Sequence, residues 1–446
     1  MFRLSVFGRY GLLGVLPKLR RDPLGVLAQA ALDSEEVIYL GRCPRRVYLL
    51  NHPALIKHVL HDNHRNYTKR PGVDRIKVLL GEGLTTSDGS LWQRQRRSMA
   101  PTLQPRRISA FLAVITAATE KLLDRWQLAA KRGQPLDISA EMMDLTRAII
   151  MRILFGSNAE AQAAALKESL AVALDHANWR IWALFDYPTW LPIPRNRKLH
   201  AARVSLNTFF QQQINERRRN ATERDDMTSL LMDLRDEDTG EPMSDSQLCD
   251  EIMTILIAGH TTTATALAWI WILLSSYTEV ERELHEELSK KAGEYLSMAN
   301  DLRMLPYTRA LIEETMRLYP PTWITARSPI EDDEIDGYYI PARSILLLSP
   351  YTIQRHPAFW EKPEEFNPSR FSAERSVGRP RYAYFPFGGG PRVCIGMGLA
   401  MMEMHLIIAM IAQSFRLHLL PSQQVQPEPT LTLRPSPGTL VGLEKI

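Results

Sequence analysis

From Met253 to Tyr277 the chain passes through 25 residues without one formally charged side chain. Just ahead, Ser244-Asp245-Ser246-Gln247 has the form of a capping box, in which a Ser hydroxyl and a Gln three positions on satisfy backbone N–H groups at a helix start. The apolar pattern that follows is first periodic, then continuous. It predicts one helix reaching about Ser276, on the order of 45 Å long at about 1.5 Å per residue. A helix that is apolar all round is buried, in a core or in a membrane. Gly259, His260, Thr261, Thr262 and Thr263 put a polar cluster at its middle, where lipid penalises it most, so the pattern favours a core helix.

Helical periodicity also marks Pro53 to His61, Ser90 to Thr102, Ile108 to Lys131, Ile138 to Phe155, Arg197 to Arg219, Glu279 to Lys291, Thr308 to Tyr319 and Gly398 to Arg416. Strand patterns are few: Val37 to Leu40 with Val47 to Leu50, Glu334 to Ile340 with Ser344 to Leu348, and a C-terminal hairpin about Ser436-Pro437-Gly438. The charged run Asp233 to Glu241 reads as a solvated turn before the capping box. The expectation is a mainly α protein with minor β, residues 1–446 forming one domain behind a lead segment, 1–24.

Composition changes this picture little. Among 446 residues, 45% are hydrophobic and 23% charged, and 54 Lys and Arg against 50 Asp and Glu leave +4, too balanced for nucleic acid. Cysteines stand at 43, 249 and 394 only, which argues against a disulfide framework and for a reducing compartment. The apolar stretch Tyr10 to Leu16, broken by glycines and closed by Pro17, is too short for a transmembrane anchor, so the location expected is cytoplasmic.

The chemistry concentrates at Phe387-Gly388-Gly389-Gly390-Pro391-Arg392-Val393-Cys394-Ile395-Gly396. Three glycines let the backbone turn with positive φ and approach a flat ligand, Arg392 supplies positive charge, and the helix beginning near Gly398 favours a thiolate at its N-terminus. Read from the residues alone, Cys394 is a metal ligand, a nucleophile or a buried thiol. The spacing of Phe387, Gly390, Arg392, Cys394 and Gly396 resembles the haem-binding signature of the cytochrome P-450 family, a match expected by chance in about one chain in 10⁴. The resemblance extends from about Leu24 to the C-terminus and implies that family's fold, a long central helix over haem with small β-sheets.

Further motifs gain meaning from that resemblance. Glu314 and Arg317, at i and i+3, with Arg370 in Phe366-Asn367-Pro368-Ser369-Arg370-Phe371, look like the family's structural triad that holds the cysteine loop. Trp92, Arg96, Arg327 and Arg392 match positions that bond the haem propionates. Ala258-Gly259-His260-Thr261-Thr262-Thr263 resembles the oxygen-activation segment, with Thr262 in the proton path and small residues leaving room for ligand. Family members usually carry an acid where this chain has Thr261. Pocket walls would include Ala258, Trp323, Ile324, Thr325 and Gly438, and the aromatic segment Trp179, Trp182, Phe185, Tyr187, Trp190 would lie at an apolar entrance.

The implied cofactor is haem b, iron protoporphyrin IX, held by Cys394. The implied activity is hydroxylation or epoxidation of a lipophilic small molecule, a fatty acid or a terpenoid or polyketide intermediate, by an enzyme of soluble bacterial type. Oxidative coupling, desaturation or peroxide-driven chemistry is the alternative that Thr261 motivates, and a haem-thiolate binding protein without turnover is a third reading. The chain has no flavin or nicotinamide fingerprint, so O2 would be reduced with electrons from a ferredoxin or flavodoxin type donor, for which Arg94, Arg97, Arg106 and Arg107 offer a basic patch.

Overall fold

A computed structural model describes residues 5–6, 15–32, 35–42, 44–156, 160–182, 188–219, 226–290, 304–421 and 423–446. Cys43, Phe185, Tyr187, Lys291 and most of the lead segment lie outside them. Helices predominate, and the described residues gather into two compact units.

The first unit comprises Met1–Gly72, Arg309–Ile395 and Gln426–Arg434. It holds a six-stranded sheet in the order β1 (Ser5–Val6), β2 (Val37–Arg42), β3 (Arg46–Leu50), β9 (Ile345–Leu348), β6 (Thr325–Pro329), β4 (Tyr67–Thr68). The β3 strand pairs parallel with β9, Leu50 opposite Leu348, and Val47 to Leu50 are all buried, as the unbroken apolar run requires of a strand covered on both faces. Helices α1 (Leu16–Arg21), α2 (Pro23–Ala31) and α3 (Pro53–Lys57) precede a single π turn at His58–Asp62. Thus the helix expected to reach His61 widens in its last turn.

Two strand expectations need correction. Glu334 to Ile340 is not one strand beside Ser344 to Leu348: β7 (Asp333–Ile335) and β8 (Tyr338–Ile340) form their own hairpin, Ile335 opposite Tyr338. Its two-residue turn, Asp336 at φ 50° and Gly337 at φ 80°, is the Asp-Gly signal for such a hairpin. The turn at Ser436-Pro437-Gly438 joins strands of different sheets, because β12 (Leu433–Pro435) pairs with β11 (Pro427–Pro429), whereas β13 (Leu440–Lys445) pairs with β10 (Phe415–Leu419) and β5 (Leu136–Asp137). A turn signal fixes a change of direction, while the partner strand is a non-local choice.

The second unit, Val73–Thr308, Gly396–Val425 and Pro435–Ile446, carries most of the helices. They are α4 (Asp74–Leu80), α5 (Gly89–Met99), α6 (Pro105–Ile108), α7 (Leu112–Lys131), α8 (Ile138–Phe155), α9 (Glu160–Trp182), α10 (Pro194–Arg219), α11 (Met227–Asp233), α12 (Asp245–Ser276) and α13 (Thr278–Ser289). A further helix, α14 (Pro306–Leu318), begins here and continues into the first unit, and α15 (Pro350–Ile353) and α16 (Ala373–Ser376) belong to that unit. The last helix, α17 (Met397–Ala412), stops short of Arg416, which lies in β10.

The long α12 starts as its capping box directs, the Ser244 hydroxyl accepting from the Gln247 N–H at 3.2 Å. Its most apolar stretch is 78% buried in the protein, which makes it a core helix. It packs on α8 through Gly259, where a Cβ would lie 2.9 Å from Ile150 Cδ1. The smallness of Gly259 therefore serves a close helix crossing. Behind these helices, Arg217 and Asp226 form a buried pair at 2.9 Å, with Arg217 also donating to the Phe155 carbonyl and Asp226 capping α11.

Candidate active site

Cys394 is exposed, and the loop that presents it is fixed from both sides. Its N–H donates to the Phe387 carbonyl at 2.9 Å, and the Val393 N–H donates to the Gly390 carbonyl at 3.1 Å. Gly388 and Gly390 take φ of 73° and 63°, the left-handed region that favours glycine, but Gly389 is extended at −166°. Its reason for lacking a side chain is contact: a Cβ there would sit 2.3 Å from Tyr382 Cε1. At Gly390 the clash would be with backbone, 1.7 Å from the Leu60 carbonyl oxygen. Phe387 and Arg392 flank the loop half-buried, and Gly396 is the N-cap of α17 in the second unit.

The contrast with Cys249 shows what this loop achieves. Cys249 is buried on α12, and burial pushes its thiol up to about 11, against a hydrogen bond from Gln211. A protonated, enclosed sulfur is inert, whereas the sulfur of Cys394 stands exposed on a loop tied by its own backbone hydrogen bonds.

The structure brings Glu314, Arg317 and Arg370 together. Arg317 is fully enclosed, and its five N–H bonds are all used: Nε and Nη2 on Glu314 at 2.7 and 2.9 Å, and the rest on the carbonyls of Gln354, Pro363 and Glu365. Glu314 also accepts from the Asn367 N–H at 2.8 Å and faces Arg370 Nε at 3.4 Å. Gln354, which no local pattern marks, links this cluster to the segment leading into the cysteine loop. Its side chain donates to the Met316 and Arg317 carbonyls at 2.9 and 3.1 Å and accepts from the Phe385 N–H at 3.0 Å. Nearby, Arg327 is buried on β6 and donates to the Ala326 carbonyl and Thr325 hydroxyl. Trp323 is buried with its indole N–H on the Thr430 carbonyl at 3.0 Å, while Ile324 and Thr325 are half-buried.

In the second unit, α12 is enclosed from Glu251 to Leu274 except for one stripe. Ala258 is exposed, and Ile255, Gly259 and Thr262 are half-buried, whereas Thr261, Thr263 and His260 turn inward. The spacing of Ile255, Ala258 and Thr262 is that of a single helix face. Thr262 Oγ1 donates to the Ala258 carbonyl at 2.7 Å, and Thr261 Oγ1 to the Ile257 carbonyl at 2.9 Å. His260 is held neutral by burial, its pKa pushed down to about 4, and its carbonyl accepts from Thr146 Oγ1 at 3.0 Å.

Along the same face, one residue escaped sequence reasoning. Glu251 is fully buried and accepts from the Leu84 N–H at 2.9 Å; burial, with the nearby Asp250 adding, pushes its carboxyl up to about 7. A charged residue opening an apolar run is the signal that could have found it. On α5, Trp92 is buried and Arg96 half-buried. Arg94 and Arg97 meet the acidic turn, Arg94 facing Asp236 at 3.8 Å and Arg97 facing Glu237 and Asp238 at 3.4 Å. Gly438 is exposed, with its N–H on Asp137 Oδ2 at the start of α8. Of the aromatic segment, Trp190 is 79% exposed on the turn before α10.

A family model described as "Cytochrome P450" matches residues 7–442. The chain belongs to the cytochrome P450 family. Among its relatives, cyclooctatin synthase of Streptomyces melanosporofaciens is 34% identical over 95% of this chain and 92% of its own. Cyclooctat-9-en-7-ol 5-monooxygenase of the same organism is 34% identical over 93% and 89%. Pentalenene oxygenase of Streptomyces avermitilis is 30% identical over 94% and 92%. The crystal structure of the cytochrome P450DA heme domain superposes with a TM-score of 0.88 at 25% identity, covering 98% of this chain and 97% of that one. This P450 is accordingly an oxidoreductase of the monooxygenase class, whose members carry haem iron and use O2 with a redox partner.

Proposed function

We propose that this P450 hydroxylates a cyclic terpenoid, with Cys394 as the thiolate that would hold the iron of haem b. The observation that carries the substrate class is the near full-length similarity to enzymes named for cyclooctat-9-en-7-ol and pentalenene. The open face of α12, apolar but for the Thr262 hydroxyl, supports a substrate that is mostly hydrocarbon. When bound, haem supplies the oxygen chemistry. The chain's own residues would then have separate tasks: by family resemblance Arg96, Arg327, Arg392 and Trp92 would each be a donor to a propionate, and Glu314, Arg317 and Arg370 would hold the cysteine loop. Thr262 holds a proton-carrying water against its hydroxyl. Thr261, with its hydroxyl committed to a backbone carbonyl, orients the helix turn and does not ionise.

The electron donor is an acidic ferredoxin or flavodoxin in the cytoplasm, and Arg106 and Arg107 are the cations best placed to receive it. They are exposed on α6, and the next residue, Ile108, lies against the first turn of α17, 3.2 Å from where a Cβ on Gly398 would be.

Titration of the ferric enzyme with cyclic terpene alcohols, fatty acids and macrolide aglycones tests the reading. Terpenoids are expected to shift the Soret band at micromolar concentration and, with donor, NADPH and 18O2, to yield a product bearing one labelled oxygen. A shift with fatty acids or aglycones alone would overturn the substrate class. Turnover driven equally well by peroxide, without a donor, would favour the chemistry suggested by Thr261.

A further inference from the structure

Asp333 opens β7 far along the chain from the cysteine loop, yet its carboxylate gathers one continuous stretch of the first unit. Asp333 Oδ2 accepts from His58 Nε2 at 2.9 Å, from Asn63 Nδ2 at 3.1 Å and from the Tyr67 hydroxyl. Its other oxygen accepts from the Glu334 N–H at 2.9 Å. Three donors on one oxygen come from the π turn at His58–Asp62, the residue after it, and β4. Burial alone would raise the Asp333 pKa, but the hydrogen bonds from Tyr67 and His58 hold it below the usual carboxylate range. A nearly enclosed carboxylate with this donor set is a charge-assisted clamp, stronger than neutral hydrogen bonds of the same number.

What the clamp holds is the surface on which the cysteine loop rests. The Leu60 carbonyl and the His61 Cα of the π turn lie so near Gly390 that a Cβ there would come within 1.7 and 3.3 Å of them. Val59, Leu60 and Tyr67 share one apolar cluster with Ile335 and Tyr338 of the hairpin and with Tyr382 and Phe385, and Tyr382 is the neighbour that excludes a side chain from Gly389. A shift of the π turn therefore cannot be absorbed by rearranging side chains, because its contact with Gly390 is backbone on backbone.

We propose that Asp333, with His58 and Tyr67, is a positioning residue for Cys394: it fixes the π turn against Gly390 and so keeps the sulfur in the geometry of a thiolate ligand. This rests on Cys394 being the haem ligand. Loosening the clamp lets the loop withdraw the sulfur or lets it take a proton, and either replaces thiolate by a neutral ligand.

The ferrous carbonyl adduct reads this directly, since thiolate ligation gives a red-shifted Soret band and neutral ligation a band at shorter wavelength. The purified holoenzyme is compared with Asp333→Asn and Tyr67→Phe at 25 °C, well below the thermal midpoint of each. Leu231→Ala, in the core of the second unit, serves as a control for general destabilisation. Asp333→Asn is expected to raise the ratio of short-wavelength to red-shifted adduct roughly tenfold, the effect of one lost charge-assisted hydrogen bond on a two-state ratio, with Tyr67→Phe moving it the same way by less. The control stays at the wild-type ratio even where its midpoint falls as far. Wild-type ratios in both clamp variants, or an equal rise in the control, would overturn the positioning role while leaving Cys394 as ligand. A wild-type adduct lacking the red-shifted band would remove both. If Asp333→Asn yields no holoenzyme, Tyr67→Phe decides alone.

Discussion

Glu251 shows how much a single buried carboxyl can govern. It accepts from the Leu84 N–H, and Gly83 lies so close to Thr254 and the Asp250 carbonyl that a Cβ would fall 2.2 and 2.7 Å from them, so this loop is pressed onto the start of α12. Because burial raises the folded-state pKa to about 7 from an ordinary 4.5, the folded protein holds the proton more tightly than the unfolded chain. Its stabilising contribution is therefore complete below about pH 4.5 and disappears as pH rises through 7. At about 1.4 kcal/mol per pH unit, the loss is on the order of 3 kcal/mol. Glu403, pushed up to about 8 by burial on α17, extends the decline. Glu251→Gln keeps the acceptor for Leu84 and removes the proton, so urea unfolding from pH 5 to 8 should show a shallower fall than wild type. An unchanged slope would mean that Glu251 is ionised throughout. At Arg317, where all five donors are engaged, Arg317→Lys cannot reproduce the planar fork and should cost about 3–5 kcal/mol in chemical denaturation.

At the scale of elements, the crossing of α8 and α12 depends on Gly259. Adding one methyl by Gly259→Ala drives a Cβ against Ile150 Cδ1 and should destabilise by about 1–3 kcal/mol. Ile150→Val removes the opposing atom, so the double variant should recover at least half of that loss, and strictly additive effects in a double-mutant cycle would refute the contact. Helices were the most legible elements: α8 runs over Ile138–Phe155 as its periodicity indicates, and α12 starts at its capping box. The helices α1, α2, α4, α9, α11, α15 and α16 escaped the pattern. In α9 the residues Ala161 to Ala165 offer little amphipathic contrast, and short helices such as α4 are stabilised by what they pack on more than by their own pattern. In the candidate site, the cysteine loop and the Glu314–Arg317 pair were legible because spacing within one turn or one loop is local. Gln354 and Asp333 were not, since each is an ordinary polar residue until the fold sets backbone donors or acceptors around it.

For the molecule as a whole, net charge says little and its placement says more. Asp236, Glu237 and Asp238 already face Arg94 and Arg97, whereas Arg106 and Arg107 stand exposed beside the helix that follows the cysteine loop. Reversing the latter pair, Arg106→Glu with Arg107→Glu, should raise the apparent KM for an acidic ferredoxin about tenfold at low ionic strength, a gap that narrows with salt. Reversal at Arg94 and Arg97 should have the smaller effect, because those charges are partly neutralised within the chain. A larger effect there would move the docking surface to α5.

By itself the sequence determined the family, the cysteine loop and the central helix, because each is written in spacings shorter than a few helical turns, where covalent geometry alone sets the distances. Tertiary structure decided which strands pair, why Gly259 and Gly389 lack side chains, and which buried carboxyls keep or lose their protons. Those outcomes depend on atoms brought together from distant parts of the chain, and on the water that burial takes away.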